Sequence, residues 1–310
     1  MNIETYPHSQ YPTSILHIEP HNAHAAKLDS PLFVWIPGNP GLLEYYEEML
    51  KMIHRNNPEW EILGISHAGM SPGNPLLGKG SKNTKIYTLE EQIEHKIEVV
   101  NNFSSPGRPI LIMGHSVGAY IIQKVIISKC LIGRVIKLGM LTPTIIDIHT
   151  SEKGVLFTKL FRWVKNLPQL AAWGSDLLFN KIVPRFCIKP FLSFVMGCKR
   201  DSRAVDASSL LLHNSGFVMQ ALGLAQYEME IIRSDWQFQR ELLDLCRTED
   251  ISIWLLFGNS DHWVSDETRR QLIHFYQEVH VRPNISIQVS SVIPHSFVID
   301  HSQYVVDNYF

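Results

Sequence analysis

A serine flanked by glycines is the first group in this chain that could do chemistry. Residues 114–118 read Gly-His-Ser-Val-Gly, between an apolar strand-like run and a helix-like run. This pattern is typical of a sharp strand-to-helix turn, where glycines two residues either side leave room for the serine to project from the sheet. Ser116 is therefore predicted to be a nucleophile that a neighbouring base activates. An ordinary turn without chemistry is the alternative.

Such a serine needs an acid that orients its base. On parallel sheets that carry this motif, the chain order is serine, then Asp or Glu, then histidine. Asp261 follows the apolar run 251–257 and a glycine, which is the setting expected for the acid. It would hold the histidine in the right tautomer and stabilise its charge. A carboxylate that only stabilises a turn is the alternative, and Asp147 is the less favoured substitute.

Fifteen histidines compete for the role of the base. His295 follows the last predicted strand, so it should reach the sheet edge where Ser116 lies. His301 would lie about one and a half turns inside the closing helix, as a surface or packing residue. His262 adjoins the acid, and side chains adjacent in sequence diverge. We therefore predict His295 as the base, with His115 lining the pocket or packed in the core.

Two backbone N–H groups are expected to stabilise the negative charge that develops on a reacting carbonyl oxygen. One is the N–H of Val117, directly after the nucleophile. The other should come from the loop 37–41, Pro-Gly-Asn-Pro-Gly, which follows the apolar run 32–36. Pro40 has no N–H, so Asn39 is the predicted donor, through its backbone. A plain double turn of Gly and Pro is the alternative.

The segments around these residues alternate between strand-like and helix-like patterns. Apolar runs predict strands at 32–36, 61–65, 109–113, 135–141, 251–257 and 285–292. Helical patterns occur at 89–100, 117–128, 266–280 and 296–310, and a Gly/Pro/Ser-rich loop follows residue 65 to about residue 85. This alternation predicts a single α/β domain over residues 1–310 with a mostly parallel sheet.

Residues 145–249 interrupt the alternation with helical, unusually apolar sequence. We predict that they form a cap or lid over the sheet. Within them, residues 151–199 contain eight Lys and Arg but two Asp and Glu, a net charge of +6, so the remaining chain carries −8. Basic, apolar helices suit the surface of an anionic phospholipid layer, whereas interrupting charges and prolines argue against a transmembrane span. The alternative is a cap whose apolar residues only cover the pocket.

Several function classes are disfavoured. The formal net charge of −2 gives no indication of nucleic-acid binding. No phosphate loop, dinucleotide fingerprint or zinc-protease motif occurs, so neither a cofactor nor a metal is expected. The N-terminus has neither the basic nor the apolar region of a cleaved signal peptide.

Four motifs carry a resemblance that extends over nearly the whole chain: WIPGNPGLLEYYEEML from residue 35, MGHSVGAY from 113, FGNSDHWV from 257 and PHSFVIDHS from 294. With these motifs the chain resembles lipid droplet-associated hydrolases. The resemblance implies an α/β-hydrolase fold and a triad of Ser116, Asp261 and His295. It also implies residence on lipid droplets and the cytosolic face of the endoplasmic reticulum, with the apolar insertion carrying the targeting. A serine nucleophile excludes the Asp-nucleophile chemistry of epoxide hydrolases and dehalogenases, which share this fold.

The leading hypothesis is a serine esterase that cleaves a hydrophobic acyl ester, such as a sterol ester or another neutral lipid, through an acyl-enzyme. Its partners would be that lipid ester and the phospholipid monolayer of droplets, contacted through residues 145–249. One alternative is a droplet-surface protein that organises droplets with little or no turnover. Another is a soluble cytosolic esterase or thioesterase whose cap only shapes the pocket. The sequence does not identify a protein partner.

Overall fold

The strands form one sheet of eight. A computed structural model describes residues 3–21, 30–71, 85–278 and 284–310. The strands are β1 (Glu4–Thr5), β2 (Ser14–Ile18), β3 (Leu32–Ile36), β4 (Glu61–Ile65), β5 (Pro109–His115), β6 (Arg134–Leu141), β7 (Ser252–Gly258) and β8 (Ile285–Ser290). Their order across the sheet is β1-β2-β4-β3-β5-β6-β7-β8. Strand β2 pairs antiparallel with both β1 and β4. In the order across the sheet, every pair from β4 to β8 is parallel.

Eleven α-helices lie within the described residues. They are α1 (Glu47–Asn56), α2 (Leu89–Asn102), α3 (Val117–Ile127), α4 (Glu152–Trp163), α5 (Leu167–Leu177), α6 (Arg185–Met196), α7 (Arg203–His213), α8 (Ser215–Ile231), α9 (Trp236–Thr248), α10 (Asp266–Glu278) and α11 (Ser302–Tyr309). Short 3₁₀ turns occupy Leu43–Tyr45, Ile148–Thr150 and Phe297–Ile299, and a π-helical turn occupies Leu178–Ile182.

The strand β3 shows how both faces of the sheet are covered. Successive side chains of a strand point to opposite faces, and all five residues of β3 are fully buried. Leu32, Val34 and Ile36 pack in the cluster that contains the buried faces of α2, α3, α9 and α10. Phe33 and Trp35 pack in the cluster that contains those of α1 and α11. Continuous apolar runs therefore mark strands with helices on both sides.

The predicted α/β fold with a mostly parallel sheet is confirmed. Element ends shift by a few residues: β6 begins one residue early, and β8 ends at Ser290 rather than at residue 292. The predicted loop after residue 65 lies outside the described residues over 72–84, as does the predicted end of α10 beyond Glu278.

The closing segment is not the single helix predicted over 296–310. It consists of the short turn at Phe297–Ile299, a break at Asp300 and His301, and then α11. His301 therefore precedes the last helix instead of lying inside it. Phe297 in the turn and Val305 in the helix are both fully buried in the same apolar cluster, and the break allows both to reach it.

Residues 145–249 contain six α-helices, α4 to α9, which come between strands β6 and β7 in the chain. We call α4 to α8, residues 152–231, the cap helices. The sixth, α9, packs against α3 and contributes Leu242 and Cys246 to the core cluster, so it belongs to the helical layer on the sheet. Among the described residues, no helix is both long enough and apolar enough to cross a membrane.

Candidate active site

Ser116 sits on a turn that only glycines at its flanks permit. Its backbone has a positive φ of 54° with ψ of −123°, a conformation that residues with a side chain rarely adopt. A Cβ at Gly114 would lie 2.5 Å from the backbone of Gly118, and a Cβ at Gly118 would lie 2.4 Å from the carbonyl oxygen of Ile36. The helix α3 thus packs backbone against backbone on β3, and this close contact holds Ser116 at the end of β5.

A chain of hydrogen bonds joins Ser116, His295 and Asp261. The Nε2 atom of His295 lies 2.9 Å from Ser116 Oγ, and Nδ1 lies 2.8 Å from Asp261 Oδ2. Because an ionised carboxylate only accepts, Nδ1 carries the proton and Nε2 accepts from the serine hydroxyl. The imidazole is thereby in the tautomer that a general base requires.

The carboxylate of Asp261 is held ionised by its surroundings. Its burial alone would raise the pKa, but the positive charge of His295 in its protonated form and the hydrogen bond from His295 hold the pKa of Asp261 below its ordinary value. The backbone N–H groups of Trp263 and Val264 also donate to Oδ1, at 2.7 and 3.2 Å. These bonds fix the carboxylate towards the histidine.

The competing residues lie elsewhere. The His262 ring, largely exposed, is 2.6 Å from a carboxylate oxygen of Glu152 at the start of α4. The His301 ring pairs with its neighbour Asp300. Asp147 accepts from the hydroxyl of Ser234. None of these histidines and carboxylates takes part in the chain of hydrogen bonds at Ser116.

His115 has a role that the sequence did not reveal. The Gly38 N–H donates to the Tyr46 hydroxyl at 3.0 Å, that hydroxyl lies 2.6 Å from His115 Nδ1, and His115 Nε2 lies 2.9 Å from the carbonyl oxygen of His295. Burial, together with the nearby charge of His295, lowers the pKa of His115 to about 3. The neutral ring therefore accepts from Tyr46 and donates to the His295 carbonyl. The adjacent tyrosines Tyr45 and Tyr46, within the motif that begins at residue 35, were the available signal.

The two predicted amide donors are on elements that meet at this site. Val117 opens α3, where first-turn N–H groups have no partner within the helix. Asn39 lines the same cavity as Ser116. The sequence assigned no role to the Asn39 side chain, yet its Nδ2 donates to the Ala221 carbonyl at 2.9 Å and to Glu228 Oε1 at 2.8 Å. Both partners are on the cap helix α8.

A cavity of about 490 Å³ opens at Ser116 and His295. The cap helices α4, α6, α7 and α8 supply about half of its wall, with apolar side chains from Phe157, Leu192, Met196, Leu211, Leu212, Ala221, Leu222 and Ala225. In the described part of the chain, no cluster of three or more His, Cys, Asp or Glu side chains could hold a metal ion. The site is therefore a hydroxyl, an imidazole and a carboxylate facing an apolar pocket.

Glu228 is a buried carboxyl group in this apolar wall. The residue is 3% exposed, and burial raises its pKa to about 7, although the hydrogen bond from Asn39 acts in the opposite direction. On helix α8 it follows Ala221 and Leu224 at helical spacing, on a buried face that is apolar apart from Gln220. A lone acid on such a face was the signal in the sequence, but the motif-based prediction of the site did not include it.

Comparison with known proteins places this chain in a family. A family model described as lipid-droplet associated hydrolase matches residues 29–298. The chain belongs to this family. A Drosophila melanogaster protein named lipid droplet-associated hydrolase is 25% identical over 281 residues, which cover 89% of this chain and 86% of that protein. A Homo sapiens protein of the same name is 24% identical over 282 residues, which cover 88% and 81%.

Solved structures show that this member of the family has the α/β-hydrolase fold. A carboxylesterase from the thaumarchaeon Nitrososphaera gargenis aligns with a TM-score of 0.60 at 14% identity, over 99% of this chain and 95% of that one. A haloalkane dehalogenase from Agrobacterium tumefaciens aligns with a TM-score of 0.64 at 12% identity, over 99% and 94%. At such identities the likeness concerns the fold alone, because unrelated chemistries share it.

We expect Gly118→Ala to destabilise the protein. The new methyl group would meet the carbonyl oxygens of Ile36 and Pro37 at 2.4 and 2.6 Å, and backbone atoms cannot rotate away. The free energy of unfolding should fall by about 3 kcal/mol or more, at the upper end of what overpacking costs. Urea unfolding measures it. Gly174→Ala is the matched control, since its Cβ meets nothing within 4 Å; equal stability of the two variants would contradict the packing argument.

We also expect the stability difference between Glu228→Gln and the wild type to depend on pH. The folded-state pKa of Glu228, about 7, lies above the ordinary 4.5, so the folded state binds the proton more tightly than the unfolded state. Its contribution is therefore complete below pH 4.5 and is lost as pH rises through 7. Between these two pH values, the free energy of unfolding of the glutamine variant should therefore rise by about 3 kcal/mol relative to that of the wild type.

Thermal and urea unfolding from pH 4.5 to pH 8.5 measure this difference. Glu230→Gln, an exposed change on the same helix, should show a flat difference across the range. A flat difference for Glu228→Gln as well would show that Glu228 titrates normally.

Proposed function

We propose that this chain is a serine esterase of the carboxylic ester hydrolase class. The observation that carries this proposal is the hydrogen-bonded chain of Ser116, His295 and Asp261, of which Ser116 and His295 line a mostly apolar cavity. The Oγ of Ser116 attacks the ester carbonyl carbon while His295 Nε2 takes the hydroxyl proton. Asp261 stabilises the imidazolium that forms.

The rest of the reaction uses the same groups. The backbone N–H groups of Val117 and Asn39 hold the negative oxygen of the tetrahedral intermediate. His295 then donates its proton to the leaving alcohol oxygen, and an acyl group remains on Ser116. Water attacks this acyl-enzyme, His295 takes the proton of the water, and the released serine oxygen recovers a proton from His295.

The proposed substrate is a hydrophobic acyl ester, such as a sterol ester or another neutral lipid. The cavity volume of about 490 Å³ is within the range of small-molecule sites, about 300–1,000 Å³. Its wall is mostly apolar, as an acyl chain or a sterol ring requires. The names of the Drosophila and human relatives support a lipid substrate. Lipid extracts incubated with the wild type and with Ser116→Ala would identify the ester, as the species consumed only by the wild type.

We further propose that the cap helices bind the phospholipid monolayer of lipid droplets, on the cytosolic side, and the endoplasmic reticulum. Large apolar side chains of the cap are exposed rather than buried, among them Trp163 at 84% and Phe194 at 87%. Exposed apolar residues in the same segment include Leu170, Trp173, Ile182, Phe186, Phe191 and Val195. Exposed basic side chains accompany them, at Lys159, Arg162, Lys165, Lys181, Arg185 and Lys189. Apolar side chains with basic neighbours favour an anionic lipid surface.

A fluorophosphonate probe should label the wild type and leave Ser116→Ala unlabelled, because only the activated hydroxyl reacts. Hydrolysis of a soluble p-nitrophenyl ester by Ser116→Ala should fall by about 10⁴-fold or more. Ser128→Ala, an exposed serine at the end of α3, is the control and should keep full labelling. Equal labelling of wild type and Ser116→Ala would refute the esterase assignment and favour a role in organising droplets.

Replacing exposed apolar residues of the cap should weaken binding to lipid without abolishing hydrolysis of a soluble ester. Burying an aromatic side chain contributes about 1.5–3 kcal/mol, so Phe194→Gln should lower partitioning onto phosphatidylserine-containing vesicles by about 10- to 100-fold. Vesicle co-sedimentation measures the partitioning. Ile132→Gln, a 50% exposed apolar residue outside the cap, is the matched control. Unchanged partitioning of both variants would favour the soluble esterase.

A further inference from the structure

The Asn39 side chain forms a bridge between the sheet and the cap. Asn39 belongs to the loop 37–41 after β3, which we call the β3 loop. Both bonds of its amide nitrogen go to helix α8, to the Ala221 carbonyl at 2.9 Å and to Glu228 Oε1 at 2.8 Å. An amide nitrogen has two hydrogens to donate, so both are used by one helix of the cap.

The residues on either side of Asn39 in the β3 loop are hydrogen-bonded to other parts of the protein. The Gly38 N–H donates to the Tyr46 hydroxyl, and the Gly41 carbonyl accepts from the His67 N–H at 2.9 Å. These contacts hold the two sides of the loop to the body of the protein. The central residue, Asn39, is held through its side chain by α8.

Placing the carboxyl group of Glu228 in an apolar wall costs free energy. Burying a carboxyl group without full compensation costs free energy, and Asn39 is its one hydrogen-bond partner within the described residues. Its neighbours on the cavity side, Leu222 and Ala225, are apolar. A leucine here would continue the wall without this cost, so the carboxyl group indicates a function other than packing.

We infer that Glu228 is a positioning residue, which fixes the Asn39 backbone N–H towards the reacting oxygen by holding the Asn39 side chain. This inference rests on the proposed esterase function. A donor acts on the transition state only when it is already aimed at the developing charge, and a displacement of about 1 Å can cost about 10²-fold in rate. The α8 bridge supplies this alignment from outside the sheet.

A double-mutant cycle with a soluble p-nitrophenyl ester tests the inference. Asn39→Ala keeps the backbone N–H but removes the bridge, and Glu228→Leu removes the acceptor. Each should lower kcat by about 10- to 100-fold with little change in KM, because the alignment matters in the transition state. The double variant should be no slower than the slower single variant, since both break one interaction. Glu228→Gln, which retains an acceptor oxygen, should lose less than Glu228→Leu.

The control is Glu230→Gln, on the same helix but exposed and bonded to Gln226, which should keep the wild-type kcat. Circular dichroism and urea unfolding identify variants that do not fold. If Glu228→Leu is such a variant, the comparison of Asn39→Ala with Glu228→Gln still measures the bridge, through the same split between kcat and KM.

Two results would overturn the inference. If the fold reductions in kcat of the two single variants multiply in the double variant, and Glu228→Leu also raises KM, then Glu228 contacts the substrate directly. Wild-type kcat in both single variants would mean that the bridge is structural only. Failure of the proposed function is distinguishable, because in that case Ser116→Ala would keep the wild-type rate.

Discussion

The hydrogen bond between Ser116 and His295 joins residues 179 positions apart, and it depends on strands that all run the same way. From β4 to β8 every pair is parallel, so the loops after β3, β5, β7 and β8 emerge at one edge. The close backbone contact of α3 with β3, at Gly118, then sets the height of the serine above that edge. The side chains of Ser116, His295 and Asp261 meet because of these two constraints.

Features encoded by neighbouring residues could be predicted from the sequence. The turn at Ser116 has its glycines two residues away, and each buried strand is a short apolar run, so fold class and the candidate triad followed from local patterns. Position relative to an element sufficed for His295, which follows the last strand. The same reasoning wrongly extended the closing helix across Asp300 and His301. A helical pattern in the sequence does not reveal a break in the helix, such as the one that allows Phe297 to be buried here.

Contacts that cross from the sheet to the cap could not be predicted. The partner of the Asn39 side chain, Glu228, is 189 residues away, and helical spacing does not say where a cap helix lies above a sheet. The hydrogen bonds that join Gly38, Tyr46 and His115 could not be predicted either, although each of these residues is in one of the motifs. The apolar residues of the insertion are not all in one environment: Phe157 lines the cavity, whereas Trp163 on the same helix is exposed.

Helix α8 is at once part of the pocket wall and the support of the β3 loop. Variation in a cap is often regarded as a free route to new substrates, because the cap shapes the pocket while the sheet keeps the reacting groups. In this fold the two are not separable at Ala221 and Glu228. A transplanted or shortened cap would therefore carry away an alignment as well as a wall, and divergence of substrate range should proceed through α4, α6 and α7 while the inner face of α8 changes slowly.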